Sequence, residues 1–146
     1  MEELRRDLIT ALDKFYILRR KNFLNCSQTF GLYVGQPQIL YYVRCHPGCA
    51  QNEIADELGV SQASIAFSTK RLQKAGFLQK VVNNLNMRCN RLYVTPEGED
   101  ILDRFQAAYE EMNKRMFDGL STEELRQYRE ITDRINENLS DLAGEE

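Results

Sequence analysis

A chain of 146 residues, 42% hydrophobic and 28% charged and without tryptophan, has the composition of a soluble globular protein and not of a disordered or fibrous one. No apolar run approaches the roughly 18 residues that span a bilayer, and the opening Met1-Glu2-Glu3-Leu4-Arg5-Arg6-Asp7 lacks the apolar centre of a signal peptide, so a cytoplasmic protein with no membrane partner is expected. The net charge of −3 is unevenly spread, with +2 on residues 1–35, +4 on residues 36–95 and −9 on residues 96–146, and the basic middle is the part suited to a polyanion.

From about Glu3 to Asn25, Leu4, Leu8, Ala11, Phe15 and Leu18 recur every three or four residues, with Ile9, Leu12 and Tyr16 on an adjacent stripe. This predicts a helix with more apolar face than one small core covers. Asn25 to Gly35, containing Ser27, Gln28, Thr29 and Gly31, breaks the period. Gln36 to Arg44 predicts a short helix, ended by Cys45-His46-Pro47-Gly48 because proline cannot continue a helix and glycine permits a turn. Gln51 to Leu58 predicts a second short helix, stopped by Gly59, and Ser61 offers an N-cap oxygen to a third, Gln62 to Ala75, closed by Gly76. Two helices joined by Gly59-Val60-Ser61 form a helix-turn-helix pattern.

After Gly76 the period drops to that of strands. Phe77 to Val82 and Arg91 to Thr95 flank the turn-rich Asn83-Asn84-Leu85-Asn86, which predicts a β-hairpin directly behind the third helix, the arrangement of a wing. Pro96 to Leu142 predicts two long helices split at Asp118-Gly119-Leu120-Ser121. Ile101, Phe105, Tyr109, Met112 and Met116 stripe the first of these, and Leu125, Tyr128, Ile131, Ile135, Leu139 and Leu142 the second. Stripes of this extent predict a homodimer, with Leu4, Leu8, Leu12, Ile131, Ile135, Leu139 and Leu142 as its expected interface.

At about 100° per residue, Ile65, Ser68, Thr69 and Leu72 of the third helix share one side, while Ala63, Phe67, Lys70 and Lys74 point the other way, flanked by Ala66 and Arg71. Lysine and arginine there suit phosphates, Gln62 suits a base edge, and Ala63, Ala66 or Phe67 suits a thymine methyl. The expected DNA-contacting set is Ser61, Gln62, Ala63, Ser64, Ala66, Phe67, Lys70, Arg71 and Lys74 of the helix with Asn84 and Arg88 of the hairpin, where Arg88 suits a narrow minor groove. The competing reading packs Phe67 on a neighbouring helix, leaves the lysines solvated and spends Arg88 on a salt bridge within the wing.

Cys45-His46-Pro47-Gly48-Cys49 holds at most three zinc ligands, short of the four of a closed site, so no metal is expected. Cys26, Cys45, Cys49 and Cys89 are expected to be reduced thiols, with oxidation sensing as an alternative role. The sequence contains no glycine-rich phosphate loop, nucleophile elbow or HExxH, so neither a catalytic set nor a cofactor is expected and the chain does not read as an enzyme.

Gly31-Leu32, Gln36, Ile39-Leu40, Pro47-Gly48, Gln51-Asn52-Glu53-Ile54-Ala55, Leu58-Gly59-Val60-Ser61, Leu72, Gly76-Phe77-Leu78, Arg88 and Val94-Thr95-Pro96-Glu97-Gly98 fall in an order and spacing that resemble the MarR family. The resemblance implies a mainly α fold with a small β-hairpin, a winged helix-turn-helix over residues 31–98 and dimerisation helices over 1–30 and 99–146, all in one domain. It further implies a homodimeric regulator of transcription on a pseudo-palindromic operator of double-stranded DNA, with recognition helices in adjacent major grooves and wings at the minor groove. A small-molecule effector between winged helix and dimer helices would release such a repressor; the alternatives are a cysteine switch on the same scaffold and a winged helix that binds protein. Two departures stand out: Asn86-Met87-Arg88 replaces the family's usual Asp-x-Arg, and Ala66 and Phe67 stand where Thr and Arg are common.

Overall fold

The computed structural model describes residues 1–82 and 90–144. Its elements in chain order are α1 (Glu2–Thr29), α2 (Gln36–Cys45), α3 (Gln51–Leu58), α4 (Gln62–Lys74), β1 (Leu78–Val82), β2 (Asn90–Val94), α5 (Pro96–Met116) and α6 (Thr122–Ala143). The fold is mainly α with a two-stranded antiparallel hairpin, and it divides into compact units at residues 1–109 and 110–146.

In the first unit the helix-turn-helix forms around residues that the core requires. Ile39, Leu40 and Val43 of α2, Ile54 of α3, Ile65 and Leu72 of α4, Leu92 of β2 and Leu102 of α5 are all buried in one cluster. Local chemistry sets where the helices begin and end. The Glu53 carboxylate accepts the Ala50 N–H at 2.5 Å, which satisfies one of the free amides at the start of α3. Gly59 closes α3 with φ 62°, a left-handed conformation that glycine adopts without steric cost. Ser61 then caps α4, its Oγ accepting the Ser64 N–H at 3.2 Å.

The α1 helix runs one turn beyond the predicted end at Asn25. Its last turn carries hydroxyls that bond back along the helix: Ser27 Oγ donates to the Phe23 carbonyl at 2.9 Å and Thr29 Oγ1 to the Asn25 carbonyl at 3.0 Å. Satisfied this way, a serine normally read as a helix breaker is buried at 1% exposure.

The hairpin is in register from Leu78 opposite Val94 to Val82 opposite Asn90. A further pairing was not read from the sequence: Cys49 bridges Leu92, with Gly48 N–H donating to the Leu92 carbonyl at 2.8 Å and Leu92 N–H to the Cys49 carbonyl at 3.0 Å. The segment seen in the sequence as a turn with thiols thus lends one residue of backbone to the sheet. Arg91 Nη1 donates to the Gly48 carbonyl at 2.9 Å and fixes the same corner.

Thr95 and Gly98 join the base of the wing to the end of α4. Thr95 Oγ1 donates to the Gly76 carbonyl at 2.5 Å and accepts the Gly98 N–H at 3.0 Å, while Thr95 N–H donates to the Phe77 carbonyl at 3.1 Å. Gly98 has no room for a side chain, since a Cβ there would lie 2.1 Å from the Phe77 carbonyl oxygen. The Thr-x-x-Gly spacing therefore comes from a backbone crossing.

In the second unit α6 opens with a capping box, in which Ser121 Oγ accepts the Glu124 N–H and the Glu124 carboxylate accepts the Ser121 N–H at 2.8 Å. None of its residues is buried, and Ile131, Leu139 and Leu142 are exposed.

Candidate nucleic-acid interface

The α4 helix is held from behind. Ile65, Thr69 and Leu72 are buried, as their shared helical face predicts. Thr69 Oγ1 donates to the Ile65 carbonyl and accepts from Gln51 Nε2, both at 2.8 Å, which ties α4 to α3 by a side-chain bond as well as by packing. With this side anchored, the opposite face is open: Gln62, Ala63, Ser64, Ala66, Phe67, Lys70 and Lys74 are all exposed, and so is the capping Ser61. Phe67 is 63% exposed, so the reading in which it packs into a neighbouring helix does not hold.

Several members of the expected set have their polar atoms partly committed. The Ser61 and Ser64 hydroxyls lie 2.9 Å apart in the cap. Arg71 is half-buried, and its guanidinium lies 3.5 Å over the Tyr33 ring and 5.5 Å from the Phe67 ring. A guanidinium stacked on an aromatic face keeps its in-plane donors free. Tyr33 thus joins the surface although nothing in its sequence neighbourhood marks it, because the contact crosses from the α1–α2 connection to α4. Asn84 and Arg88, the wing residues of the expected set, lie outside the described residues, as do Cys89 and the Asn86-Met87-Arg88 departure.

The exposed α4 face combines amide, hydroxyl, methyl, aromatic and ammonium groups on a helix. Such a helix fits a major groove, where base edges present a donor, acceptor and methyl code. The three cations Lys70, Arg71 and Lys74 fall toward the C-terminal half of α4, and Gln62 lies at its first turn.

The cysteines show different environments. Cys45 is exposed, Cys26 is half-buried and Cys49 is buried. Burial pushes the Cys26 thiol above its ordinary pKa. Burial, followed by the nearby Glu53 charge, does the same to Cys49. His46 stacks on the Tyr42 ring at 4.3 Å, with Nδ1 3.0 Å from the Tyr42 carbonyl. Among the described residues no group of three or more His, Cys, Asp or Glu is placed to hold a metal ion, and no helix is long and apolar enough to cross a membrane.

Residues 36–79, which run from the start of α2 into β1, match the winged helix-turn-helix DNA-binding family. The HTH-type transcriptional regulator YybA of Bacillus subtilis is 26% identical over 104 residues, covering 70% of this chain and 69% of YybA. The MarR family transcription regulator SP03579 superposes with a TM-score of 0.83 at 24% identity, covering 100% of this chain and 99% of its own. Streptococcus pneumoniae FabT, in a crystal structure with DNA, superposes with a TM-score of 0.72 at 18% identity over 94% of this chain and 98% of its own. With its matched segment forming a helix-turn-helix that runs into the first strand of the hairpin, the chain carries a winged helix-turn-helix DNA-binding region inside a fold shared with MarR family structures.

Proposed function

We propose that the protein acts in the cytoplasm as a homodimeric repressor on a pseudo-palindromic operator and lets go of DNA when a small molecule binds. The observation that carries this reading is the open outer face of α4, braced from behind by Thr69 and Gln51. In this reading Gln62, Ala63, Ala66 and Phe67 meet base edges and thymine methyls. Ser61, Ser64, Lys70, Arg71 and Lys74 meet the phosphate backbone. Asn84 and Arg88 serve the minor groove.

Dimerisation is supported by apolar side chains that each unit leaves in water. Leu4, Leu8 and Leu12 of α1 are exposed, Leu4 at 72%, and Ile131, Leu139 and Leu142 of α6 are exposed beside a half-buried Ile135. Apolar surface of this kind on two long helices calls for a cover, and a second copy of the chain related by a two-fold axis would supply it. Residues 1–30 and 99–146 then serve dimerisation and residues 31–98 serve DNA within one domain. The repressor sign and the effector follow the MarR resemblance.

Selection of duplexes from a random pool tests the reading. The expected product is a pseudo-palindrome with half-sites about 10–10.5 base pairs apart, bound by a dimer in sedimentation. Asymmetric selected sites, or a folded monomer at micromolar concentration, would overturn it.

A further inference from the structure

Residues 62–69, the first two turns of α4, carry no lysine, arginine, aspartate or glutamate. A helix docked in the major groove reads base edges chiefly with its N-terminal residues, so this stretch decides which bases are read. Guanine is met by arginine or lysine on O6 and N7, and cytosine by a carboxylate on its N4 amine. Neither partner is present there. What faces outward instead is the Gln62 amide, the methyls of Ala63 and Ala66 and the Phe67 ring, all exposed. The Ser64 hydroxyl lies 2.9 Å from that of Ser61 and belongs to the cap. The cations of α4 begin only at Lys70.

Phe67 is the largest group on this face and is 63% exposed. Its ring is not loose. The Arg71 guanidinium, one turn further along α4, lies 5.5 Å from the Phe67 centroid and 3.5 Å over the Tyr33 ring, so Arg71 bridges the two rings. A ring held in place loses less freedom on docking than a free one. The same contacts commit Arg71 to the flank of α4 and leave Phe67 at the centre of its outer face. An apolar ring presented to solvent gains by covering something apolar, and the apolar group on a base edge in the major groove is the 5-methyl of thymine.

We infer that Phe67 makes this helix a reader of 5-methyl groups: each half-site presents a core of A·T pairs, with Gln62 on adenine N6 and N7 and a thymine methyl against the Phe67 ring. The inference deepens the DNA reading proposed above and rests on it for the presence of α4 in the major groove. Uracil differs from thymine only by the missing methyl, so it pairs alike and presents the same minor-groove face, yet it is bound less well. 5-Methylcytosine carries its methyl at the same place in the groove and is bound better than cytosine. Covering one methyl changes affinity about fourfold, and a symmetric change in both half-sites about fifteenfold.

Duplexes recovered by the full chain from a random pool, remade with deoxyuridine at each thymine of the half-sites in turn, test it by fluorescence anisotropy at fixed salt. At one thymine per half-site the symmetric uracil duplex is expected to bind about fifteenfold more weakly, and 5-methylcytosine there to bind more tightly than cytosine. Phe67→Ala, at an exposed position outside the core, is expected to bind the thymine and uracil duplexes equally. A merely structural role for Phe67 would weaken both duplexes and keep their ratio. Half-sites without thymine, insensitivity to uracil at every thymine, or a thymine-over-uracil ratio that survives Phe67→Ala overturns the inference and leaves a dimer on a pseudo-palindrome standing. Recovery of no duplex at all overturns the DNA reading and takes the inference with it.

Discussion

Replacing Gly98 with alanine inverts the usual consequence of a glycine-to-alanine change in a helix. Gly98 lies in the first turn of α5 without a left-handed φ, so propensity alone favours alanine by about 1 kcal/mol. The added Cβ, however, would sit 2.1 Å from the Phe77 carbonyl oxygen and 2.7 Å from Val94 Cγ1, where ordinary contact begins at 3.4 Å. The obstruction is backbone, which cannot swing aside as a long side chain does. Opening the gap pulls on the Thr95 bonds to Phe77 and Gly76. Overpacking of this kind costs about 1–3 kcal/mol, and each hydrogen bond weakened costs about 1 kcal/mol. After the propensity gain is subtracted, Gly98→Ala is expected to lose about 2–4 kcal/mol. In urea, at fixed protein concentration, the midpoint should fall by about 1 M with little change in slope. A midpoint equal to or above that of the unchanged protein would refute the backbone-crossing account of Thr95-x-x-Gly98.

Three further outcomes follow from individual contacts. Tyr33→Ala should free Arg71 and weaken binding to the selected operator about 2–5-fold, the 0.5–1 kcal/mol of an exposed cation–π contact, while Tyr33→Phe should not. Equal affinity in all three proteins would separate Tyr33 from DNA binding. Iodoacetamide followed by mass spectrometry should modify exposed Cys45 well before Cys49, whose thiol is buried and held protonated by burial and by Glu53. Equal rates would place Cys49 in a different setting. The Ser121 backbone and hydroxyl donors lower the Glu124 carboxyl below its ordinary pKa. Its cap should therefore be fully present above the usual glutamate range and be lost as pH falls through the depressed value. A carbon-detected NMR titration in which Glu124 protonates no later than the other exposed glutamates would contradict that direction.

Much of this architecture can be read from short-range chemistry. Gly59 and Ser61 mark the two sides of the turn because each acts within a few residues, one through a left-handed backbone and the other through an N-cap oxygen. The inward trio Ile65, Thr69 and Leu72 follows from helical period alone. What escaped depends on partners distant in sequence. The helical character of Ser27 and Thr29 was masked because their hydroxyls favour turns until back-bonding and burial decide otherwise. Cys49 looked like chemistry because of its neighbour Cys45, yet its backbone pairing with Leu92, 43 residues away, is what the sheet uses. Arg71 could be placed on the flank of α4 by angle, but only the fold brings the Tyr33 ring beneath it.

The same distant contacts bear on how DNA affinity can be changed. The α4 helix is fixed at its start by the Ser61 cap, in its middle by Gln51 on Thr69, and just past its end by Thr95 on Gly76. Arg71 is stacked on Tyr33, so even one of its outward side chains is oriented before DNA arrives. Rotating or fraying α4 by itself would break at least one of these bonds and expose Ile65 or Leu72, at a cost that a weakly bound ligand does not cover. A helix-turn-helix and wing joined this tightly respond to a ligand most cheaply as one body. In the proposed dimer, the quantity such a motion changes is the distance between the two recognition helices. Operators with altered half-site spacing should then feel ligand differently from operators with altered bases, which separates a shift of the whole winged segment from a change within α4.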